Sequence, residues 1–277
     1  MYRILIPIDP SEYTAAAIDY ATQIAEHNHV AINGLAIIDD LNIEEAALTF
    51  VPLPQGNTRH IAIENTLLED ANSKARLVLD QFDLKCKSKQ LNCSGKISVG
   101  RPDLLIESEG KYADLIITGM RNYFHFETSK HPEKTASKII TQVHTPMLIV
   151  PRHFKPVNKV LIAFDGSNPA VRAVKEFVNI EWDKKYEITL LVSNTSKSAG
   201  NNLLENIEQY LLSKTNNKIK KVLTNKNIIH VFNEEFSEDT DLVVCGMHSQ
   251  NILKKLILGS FPQHLINLNR IPVLIAQ

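Results

Sequence analysis

The residues best suited to chemistry in this 277-residue chain are those of an anion site in its C-terminal half. Cys245 and Gly246 end an apolar run, and the loop that follows leads to Gly259-Ser260-Phe261-Pro262. Glycine lets the backbone approach a phosphate because no Cβ stands in the way. The free amides of a helix start carry partial positive charge, and Ser260 adds a hydroxyl. Together these parts predict a phosphate-binding crevice.

The same residues also have purely structural interpretations. Ser260 could cap the helix that follows, with Pro262 in the first turn of that helix. Gly246 could be the glycine at which a strand ends. His248 lies in the loop between them, where it could contact phosphate or stay solvated.

Two aspartates follow apolar runs at equivalent positions, Asp9 near the N-terminus and Asp165 in mid-chain. Each could hydrogen-bond a ribose hydroxyl or hold a cation near phosphates. Each could equally cap the following helix, since Ser11 and Ser167 stand close by.

An internal repeat determines how these residues are positioned. Three segments recur in the same order: residues 3–17 with 159–173, residues 113–120 with 240–247, and residues 140–151 with 266–277. The offset between the copies falls from 156 at the first segment to 126 at the last. The first copy therefore carries about 30 extra residues, and we place them between Asp39 and Leu91.

Short runs of Ile, Leu and Val alternate with amphipathic stretches in both copies. The predicted strands lie near 3–8, 30–38, 95–99, 114–119, 146–150, 159–164, 187–193, 219–224, 241–245 and 272–276. The predicted helices of the first copy lie near 12–27, 61–90, 102–110 and 134–143, and the second copy has four. Runs such as LIITG and LVVCG are typical of parallel strands that helices cover on both faces. The order βαβαβαβαβ predicts an α/β fold with two tandem, doubly wound, five-stranded parallel sheets.

The length of the chain suits two domains of about 100 to 150 residues each. We expect them at 1–151 and 158–277, because the segment PRHFKPVN between them has two prolines and no apolar period. In each sheet a ligand crevice should lie at the carboxyl ends of the strands, where the strand order reverses.

Composition excludes several classes of function. The net charge of −1 excludes a broad nucleic-acid footprint. The halves carry −4 (residues 1–153) and +3 (residues 154–277), a bias that favours an anionic ligand in the second half or is ordinary surface variation. No apolar run reaches the roughly 18 residues of a membrane span, and the N-terminus lacks signal-peptide features. We expect a cytoplasmic protein without a membrane partner.

Cysteines and histidines give no sign of a metal site. Cys86, Cys93 and Cys245 are odd in number and form no CxxC pair, so we expect reduced thiols. His125 and His131 are six residues apart without supporting cysteines or carboxylates, which favours surface histidines over metal ligands.

At these residues the chain resembles the universal stress protein family, and specifically its tandem members with two fused domains. ATP-binding members of that family have glycine, two residues, glycine, nine residues, then glycine and Ser or Thr. Here the second copy has Gly246, Ser249 and Gly259-Ser260 at that spacing, so one glycine has become serine. The openings ILIPIDPS and VLIAFDGS and the endings TPMLIV and IPVLIA carry the resemblance over nearly the whole of both copies.

The resemblance implies an adenine nucleotide, ATP or AMP, with or without Mg²⁺, in the second copy. Asp165 would lie near the ribose, the backbone of Val192 and Ser193 would meet the adenine, and the glycines and serines of the motif would hold the phosphates. The residues expected to bind the cofactor are Ala163, Asp165, Val192, Ser193, Cys245, Gly246, His248, Ser249, Gly259, Ser260 and Phe261.

The first copy departs from the family motif. Gly119 remains, but Asn122 takes the second glycine position, and Glu133-Lys134 replaces the Gly-Ser pair. A carboxylate at a helix start repels phosphate by a few kcal/mol where it is poorly solvated. We therefore expect no ATP binding of the family type in this copy.

Three functions follow as hypotheses. The first is a nucleotide-binding stress or regulatory protein in which occupancy of the second domain alters protein contacts, without catalysis. The second is a nucleotide-free tandem scaffold, which Ser249 favours. The third, a slow ATP hydrolase, is disfavoured because the chain has no GxxxxGK[ST] loop and no acid/base pair tied to the crevice. The resemblance also implies that the last strand of each copy joins the two copies, and homodimers remain open.

Overall fold

The structure is a computed structural model. It describes residues 2–25, 29–50, 57–122, 124, 139–140, 142–180, 182, 186–247 and 258–277. Within those residues the chain folds into ten strands and eight helices that form one layered α/β unit.

The ten strands fall at the ten predicted positions, within two residues at each end. They are β1 (Tyr2–Ile8), β2 (Val30–Ile38), β3 (Cys93–Val99), β4 (Leu115–Gly119), β5 (Met147–Val150), β6 (Lys159–Ala163), β7 (Glu187–Ser193), β8 (Ile219–Thr224), β9 (Leu242–Gly246) and β10 (Val273–Ala276). The central strands β4, β5 and β10 are buried along their whole length, as their continuous apolar runs predicted.

All ten strands belong to one sheet of order β3-β2-β1-β4-β5-β10-β9-β6-β7-β8. Each half is parallel and doubly wound, with its order reversing between β1 and β4 or between β6 and β9. The predicted α/β class and the predicted joint between the last strands are confirmed. The two five-stranded parallel halves form one continuous sheet, because β5 and β10 pair antiparallel.

The joint between the halves is short and buried. Leu274 pairs with Leu148, and Val273 and Ile275 pair with Ile149 and Met147. All six side chains are 2% exposed or less. Because both halves complete their hydrophobic layers through this seam, neither last strand is left as an open edge.

Eight helices cover the two faces of the sheet. They are α1 (Glu12–Ala25), α2 (Asp40–Phe50), α3 (Asn57–Ser88), α4 (Pro102–Gly110), α5 (Asn168–Asn179), α6 (Lys197–Leu212), α7 (Ile228–Val231) and α8 (Ser260–Leu268). A π-helical turn at Phe232–Phe236 continues α7. One core, which includes Ile4 and Ile6, lies under α1, α3, α5 and α6, and the other, which includes Leu5, lies under α4, α7 and α8.

The extra residues of the first copy form helices. The sequence predicts one helix near 61–90, whereas the structure has α2 as well, followed by the 32-residue α3. Helix α3 packs on β2 and β3 where Gly34 and Gly95 lie side by side in register. A Cβ on Gly34 would come 2.7 Å from a ring carbon of Phe82, so these glycines leave room for the helix.

The structure overturns the expectation of three reduced thiols. Cys86 at the end of α3 and Cys93 at the start of β3 form a disulfide, with their Cα atoms 6.2 Å apart. The pair has no CxxC spacing, and it meets only because α3 packs antiparallel to the edge strand. Cys245 is a free, buried thiol.

Candidate nucleotide crevice

A cavity of about 130 Å³ opens at the carboxyl ends of β6 and β9, where the strand order of the second half reverses. It is lined by Ala163, Phe164, Asp165, Ile228, Cys245, Gly246, Met247, Gly259, Ser260, Phe261 and Pro262. Seven of the eleven predicted cofactor residues are among them. They come from segments about 80 to 100 residues apart in the chain, and the parallel pairing of β6 with β9 brings them together.

The start of α8 forms one wall of the cavity. The first intrahelical bond runs from the Gln263 amide to the Gly259 carbonyl, at 3.1 Å. Pro262 has no amide hydrogen, so the amides of Ser260 and Phe261 are the two left without an intrahelical acceptor. The Gly259 amide is not available, since it donates to the Met247 carbonyl at 2.8 Å. This wall can present two amides and the Ser260 hydroxyl to an anion.

Ser260 is the first residue of α8, not its cap. Gly259 occupies the cap position, and no side chain caps the helix. The alternative in which Ser260 is a capping residue is therefore wrong, while Pro262 does lie in the first turn as predicted. Gly259 has φ −60° and ψ 156°, an extended conformation that any residue adopts.

Gly246 has a structural reason to be glycine. A Cβ at this position would lie 2.6 Å from the Ala170 amide nitrogen and 3.1 Å from the Ala170 Cα. The start of α5 thus packs directly on the end of β9. The alternative interpretation, a glycine required where a strand ends, accounts for this residue without any phosphate.

Asp165 organises the turn that leads into α5. Its carboxylate accepts the Ser167 amide at 2.9 Å. The cap of α5 is Ser167, whose hydroxyl accepts the Ala170 amide at 3.3 Å. Gly166 between them has φ +79°, where glycine is favoured. The aspartate is thus held in place at the mouth of the cavity, and it is half-buried.

The Cys245 thiol belongs to the floor of the crevice. Burial raises the pKa of this thiol far above its ordinary range, and the nearby Asp165 charge adds to the effect. The thiol therefore stays protonated at neutral pH and forms an apolar part of the wall.

A model of the universal stress protein family matches residues 1–151 and 156–277. The chain belongs to this family. Universal stress protein Slr1230 from Synechocystis sp. is 28% identical to it over 182 residues, which are 62% of this chain and 60% of that protein. The chain thus spans about 60% of the length of this curated relative.

A solved structure of the family resembles the chain in fold over nearly its whole length. A universal stress protein from Archaeoglobus fulgidus DSM 4304 has a TM-score of 0.68 at 17% identity, covering 99% of this chain and 98% of that chain. A universal stress protein family protein from Arabidopsis thaliana, crystallised with AMP bound, has a TM-score of 0.35 at 10% identity. That match covers 54% of this chain and 90% of that chain.

Two of the remaining predicted residues of this universal stress protein lie outside the cavity. Val192 and Ser193 end β7, the strand next to β6, and do not line the described cavity. Val192 is fully buried, and the Ser193 hydroxyl donates to the Lys226 carbonyl at 2.8 Å. His248 and Ser249 fall outside the described residues.

Four lining residues were not predicted to bind a cofactor: Phe164, Ile228, Met247 and Pro262. Three of them are chain neighbours of predicted residues, so adjacency to the motif was a usable signal. Ile228 begins α7 after β8, and no local signal connects it with the motif.

The described residues at the equivalent place in the first half have different polar contacts. Asp9 is 3% exposed, and its carboxylate accepts the Ser11 amide at 2.9 Å, the Ser11 hydroxyl and the Thr14 hydroxyl at 3.0 Å. Asn122, at the second glycine position of the family motif, is 3% exposed and accepts the Thr118 hydroxyl at 3.2 Å. These contacts engage the Asp9 carboxylate and the Asn122 side-chain oxygen, whereas the buried Asn122 Nδ2 has no hydrogen-bond partner among the described residues. Glu133 and Lys134 lie outside the described residues.

No cluster of three or more histidine, cysteine, aspartate or glutamate side chains suited to a metal ion occurs among the described residues. His125 and His131 lie outside them. Within the same part of the chain, no helix combines the length and apolarity needed to cross a bilayer.

Proposed function

We propose that this universal stress protein binds an adenine nucleotide, ATP or AMP, in the crevice of its second half. Occupancy of that crevice then alters contacts with a protein partner or a second copy, in the cytoplasm and without catalysis. In this proposal the functional units are residues 1–151 and 158–277, an organisation similar to that of universal stress protein E. Mg²⁺ would accompany the triphosphate form only.

One observation carries the proposal: Asp165, Gly259 and Ser260 converge on one cavity at the reversal point of a parallel sheet. Ligands of doubly wound sheets bind at this place. The start of α8 supplies two amides and a hydroxyl for phosphate, and Asp165, which lines the same cavity, supplies a carboxylate for a ribose hydroxyl.

The size of the cavity indicates how a nucleotide would be placed. Its volume of about 130 Å³ is below the roughly 300 Å³ at which pockets for drug-sized ligands begin. The described walls can therefore enclose the ribose and one phosphate but not a whole nucleotide. We assign the base to the open side of the crevice, along the ends of β7 at Val192 and Ser193, next to β6.

A second candidate, a nucleotide-free scaffold, is favoured by two observations. Packing against α5 explains Gly246 without a ligand. The continuous ten-stranded sheet gives the tandem pair one rigid framework through β5 and β10. Under this alternative the surface of the joined halves, not a crevice, would carry the function.

Calorimetric titration of the full chain with ATP, AMP and UMP tests the proposal. We expect ATP or AMP to bind and UMP, a pyrimidine nucleotide, to bind at least tenfold more weakly. The double variant Gly259→Glu with Ser260→Lys gives the start of α8 the residues that the first copy has at the equivalent positions, Glu133 and Lys134. Because it places a carboxylate beside phosphate, it should weaken binding roughly 100-fold, equivalent to about 3 kcal/mol.

The matched control changes the same positions of the other copy, as Glu133→Ala with Lys134→Ala. It should leave nucleotide affinity within twofold of the wild-type value. If the unaltered chain binds none of the three nucleotides, the scaffold replaces the nucleotide proposal. If both double variants weaken binding equally, the nucleotide does not lie at α8.

A further inference from the structure

The disulfide between Cys86 and Cys93 lies at the far edge of the sheet from the second crevice. It connects the end of α3 to the first residue of β3, seven positions later in the chain. Strand β3 is the outermost strand on that side, so it pairs with β2 alone. Residues Ser94 to Lys96 on it are exposed.

The two sulfur-bearing residues differ in access. Cys86 is 2% exposed, whereas Cys93 is half-buried. A small reagent from solvent can therefore reach the Cys93 side and not the Cys86 side. Because of this difference in exposure, Cys93 is the cysteine that reacts first with a reagent from solvent. Cys86 is the cysteine that then attacks the mixed disulfide on Cys93.

Contacts other than the disulfide hold Cys86 in place. The Lys85 ammonium donates to the Ala15 carbonyl at 2.7 Å and to the Asp19 carboxylate at 3.1 Å. Lys89 pairs with the same Asp19 at 3.2 Å. The turn after α3 is closed by the Leu91 amide, which donates to the Cys86 carbonyl at 3.0 Å. Cys86 therefore keeps its position when the sulfur–sulfur bond is broken.

We propose that Cys86 and Cys93 form a reversible dithiol–disulfide site, with low-molecular-weight disulfides such as oxidised glutathione as its oxidant, that controls the pairing of edge strand β3. The pair lies outside the crevice, and the site operates whether or not a nucleotide binds. In a reducing cytoplasm, disulfides of this kind are usually transient or redox-sensing.

The chemistry balances in two exchange steps. The Cys93 thiolate attacks one sulfur of oxidised glutathione, forms a mixed disulfide and releases one glutathione thiolate. The Cys86 thiolate then attacks the Cys93 sulfur, forms the protein disulfide and releases the second glutathione thiolate. The protein loses two electrons and two protons, and two glutathione thiols are formed. Two reduced glutathione molecules reverse the sequence.

Reduction acts on β3 more than on α3. The lysine contacts and the packing of Phe82 over Gly34 keep α3 on the sheet. Strand β3 has no second neighbour, so the disulfide is the covalent restraint on its first residue. For a seven-residue loop, chain entropy makes local opening roughly 50-fold more frequent once the bond is broken.

Equilibration of the full chain in buffers of graded glutathione ratio tests the site. After acid quenching, differential alkylation and peptide mass spectrometry give the oxidised fraction of the pair. At the ratio of reduced to oxidised glutathione typical of the cytosol, we expect the pair to be mostly dithiol. In more oxidising buffers, we expect it to be mostly the intramolecular disulfide. A pair that never cross-links, or that stays cross-linked at the cytosolic poise, overturns the proposal.

Single variants test the order of attack. Cys86→Ala should accumulate a mixed glutathione disulfide on Cys93, whereas Cys93→Ala should leave Cys86 unmodified. The matched control is Cys245→Ala, which removes the other cysteine and should leave the midpoint ratio within twofold of the wild-type value. Equal glutathionylation of Cys86 and Cys93 would contradict the assignment of Cys93 as the entry residue.

Hydrogen exchange of the oxidised and reduced wild-type chain tests the effect on the strand without any variant. Amides of β3 should exchange roughly 50-fold faster in the reduced protein. Strand β8 is the outermost strand of the other half and has no disulfide, so its exchange should not change. Unchanged exchange in β3, or an equal change in β8, would exclude control of the edge strand.

Discussion

The two crevices of this molecule occupy equivalent places in the sheet and differ in the polar contacts of their described residues. At the end of β4, Gly119 packs on α1, where an added Cβ would lie 2.5 Å from the Tyr13 Cβ. At the end of β9, Gly246 packs on α5 in the same way. The glycine common to both crevices therefore belongs to helix packing, and the ligand chemistry must come from residues that differ.

The differing residues are those that carry the polar groups of each crevice. In the first half, Asn122 is buried against Thr118, and Asp9 accepts three hydrogen bonds. In the second half, the start of α8 keeps two amides without an intrahelical acceptor beside a cavity. Among the described residues, the second half thus has a helix start that can serve as a binding wall, whereas the equivalent positions of the first half, Glu133 and Lys134, lie outside them.

The largest effect should come from the seam that joins the halves. Leu148→Ala and Leu274→Ala each remove a fully buried side chain from the β5–β10 pair. Each should lower the free energy of unfolding by about 3 kcal/mol, the usual cost of a core leucine. Urea denaturation followed by circular dichroism would show one shifted transition in both variants.

That result depends on the halves being one cooperative unit. If Leu148→Ala produced two transitions with only one of them shifted, the halves would unfold independently despite their common sheet. The exposed Leu212→Ala is the matched control and should change stability by less than about 0.5 kcal/mol.

An intermediate effect is expected from the equivalent glycines. Gly119→Ala and Gly246→Ala each drive a Cβ against a neighbouring helix, so each should cost about 2 kcal/mol of unfolding free energy. Gly259→Ala is the control and should be nearly neutral for stability, because its φ of −60° suits alanine. If Gly119→Ala left the free energy of unfolding unchanged while Gly246→Ala lowered it, the two glycines would not have equivalent packing roles.

The smallest effect is a difference in pH dependence between two contacts across the seam. On one side, the Tyr2 hydroxyl donates to the Glu176 carboxylate. At the repeat-related place, the Tyr20 hydroxyl accepts the Lys155 backbone amide at 3.2 Å, so its hydrogen-bond partner is not a carboxylate. Burial raises the pKa of Glu176, and the nearby Asp114 charge acts in the same direction.

Because the folded protein binds the Glu176 proton more tightly than the unfolded chain does, the stability from this group is complete below the ordinary carboxyl pKa of about 4.3. It is lost as pH rises through the raised pKa of the folded state. Glu176→Gln, which stays neutral, should therefore gain stability relative to wild type between pH 4 and pH 7. Denaturation at each pH measures the difference in unfolding free energy between the variant and the wild type. Glu205 is exposed, so Glu205→Gln is the control and its difference should not change with pH. A constant difference for Glu176→Gln would show that Glu176 does not titrate in this range.

Much of the fold was predictable because the signals were local or repeated. Ten apolar runs became ten strands, and the 156-residue offset at the start of the copies placed Asp9 and Asp165 at equivalent turns. Helix α2 was missed because the first copy has two helices between β2 and β3, whereas the fully described stretch between β7 and β8 of the second copy has only α6, so the repeat gave no sign of it.

For the candidate site, the sequence alone determined which residues have the right chemistry: an aspartate after β6, and a glycine and a serine at the start of α8. Only the tertiary structure decided that Ile228 joins them, that Gly246 is held by α5, and that Cys86 meets Cys93. The chemistry of a side chain and the local turns depend on residues that are close together in the sequence. Contacts between distant segments depend on how helices pack on the sheet, which no short stretch of sequence encodes.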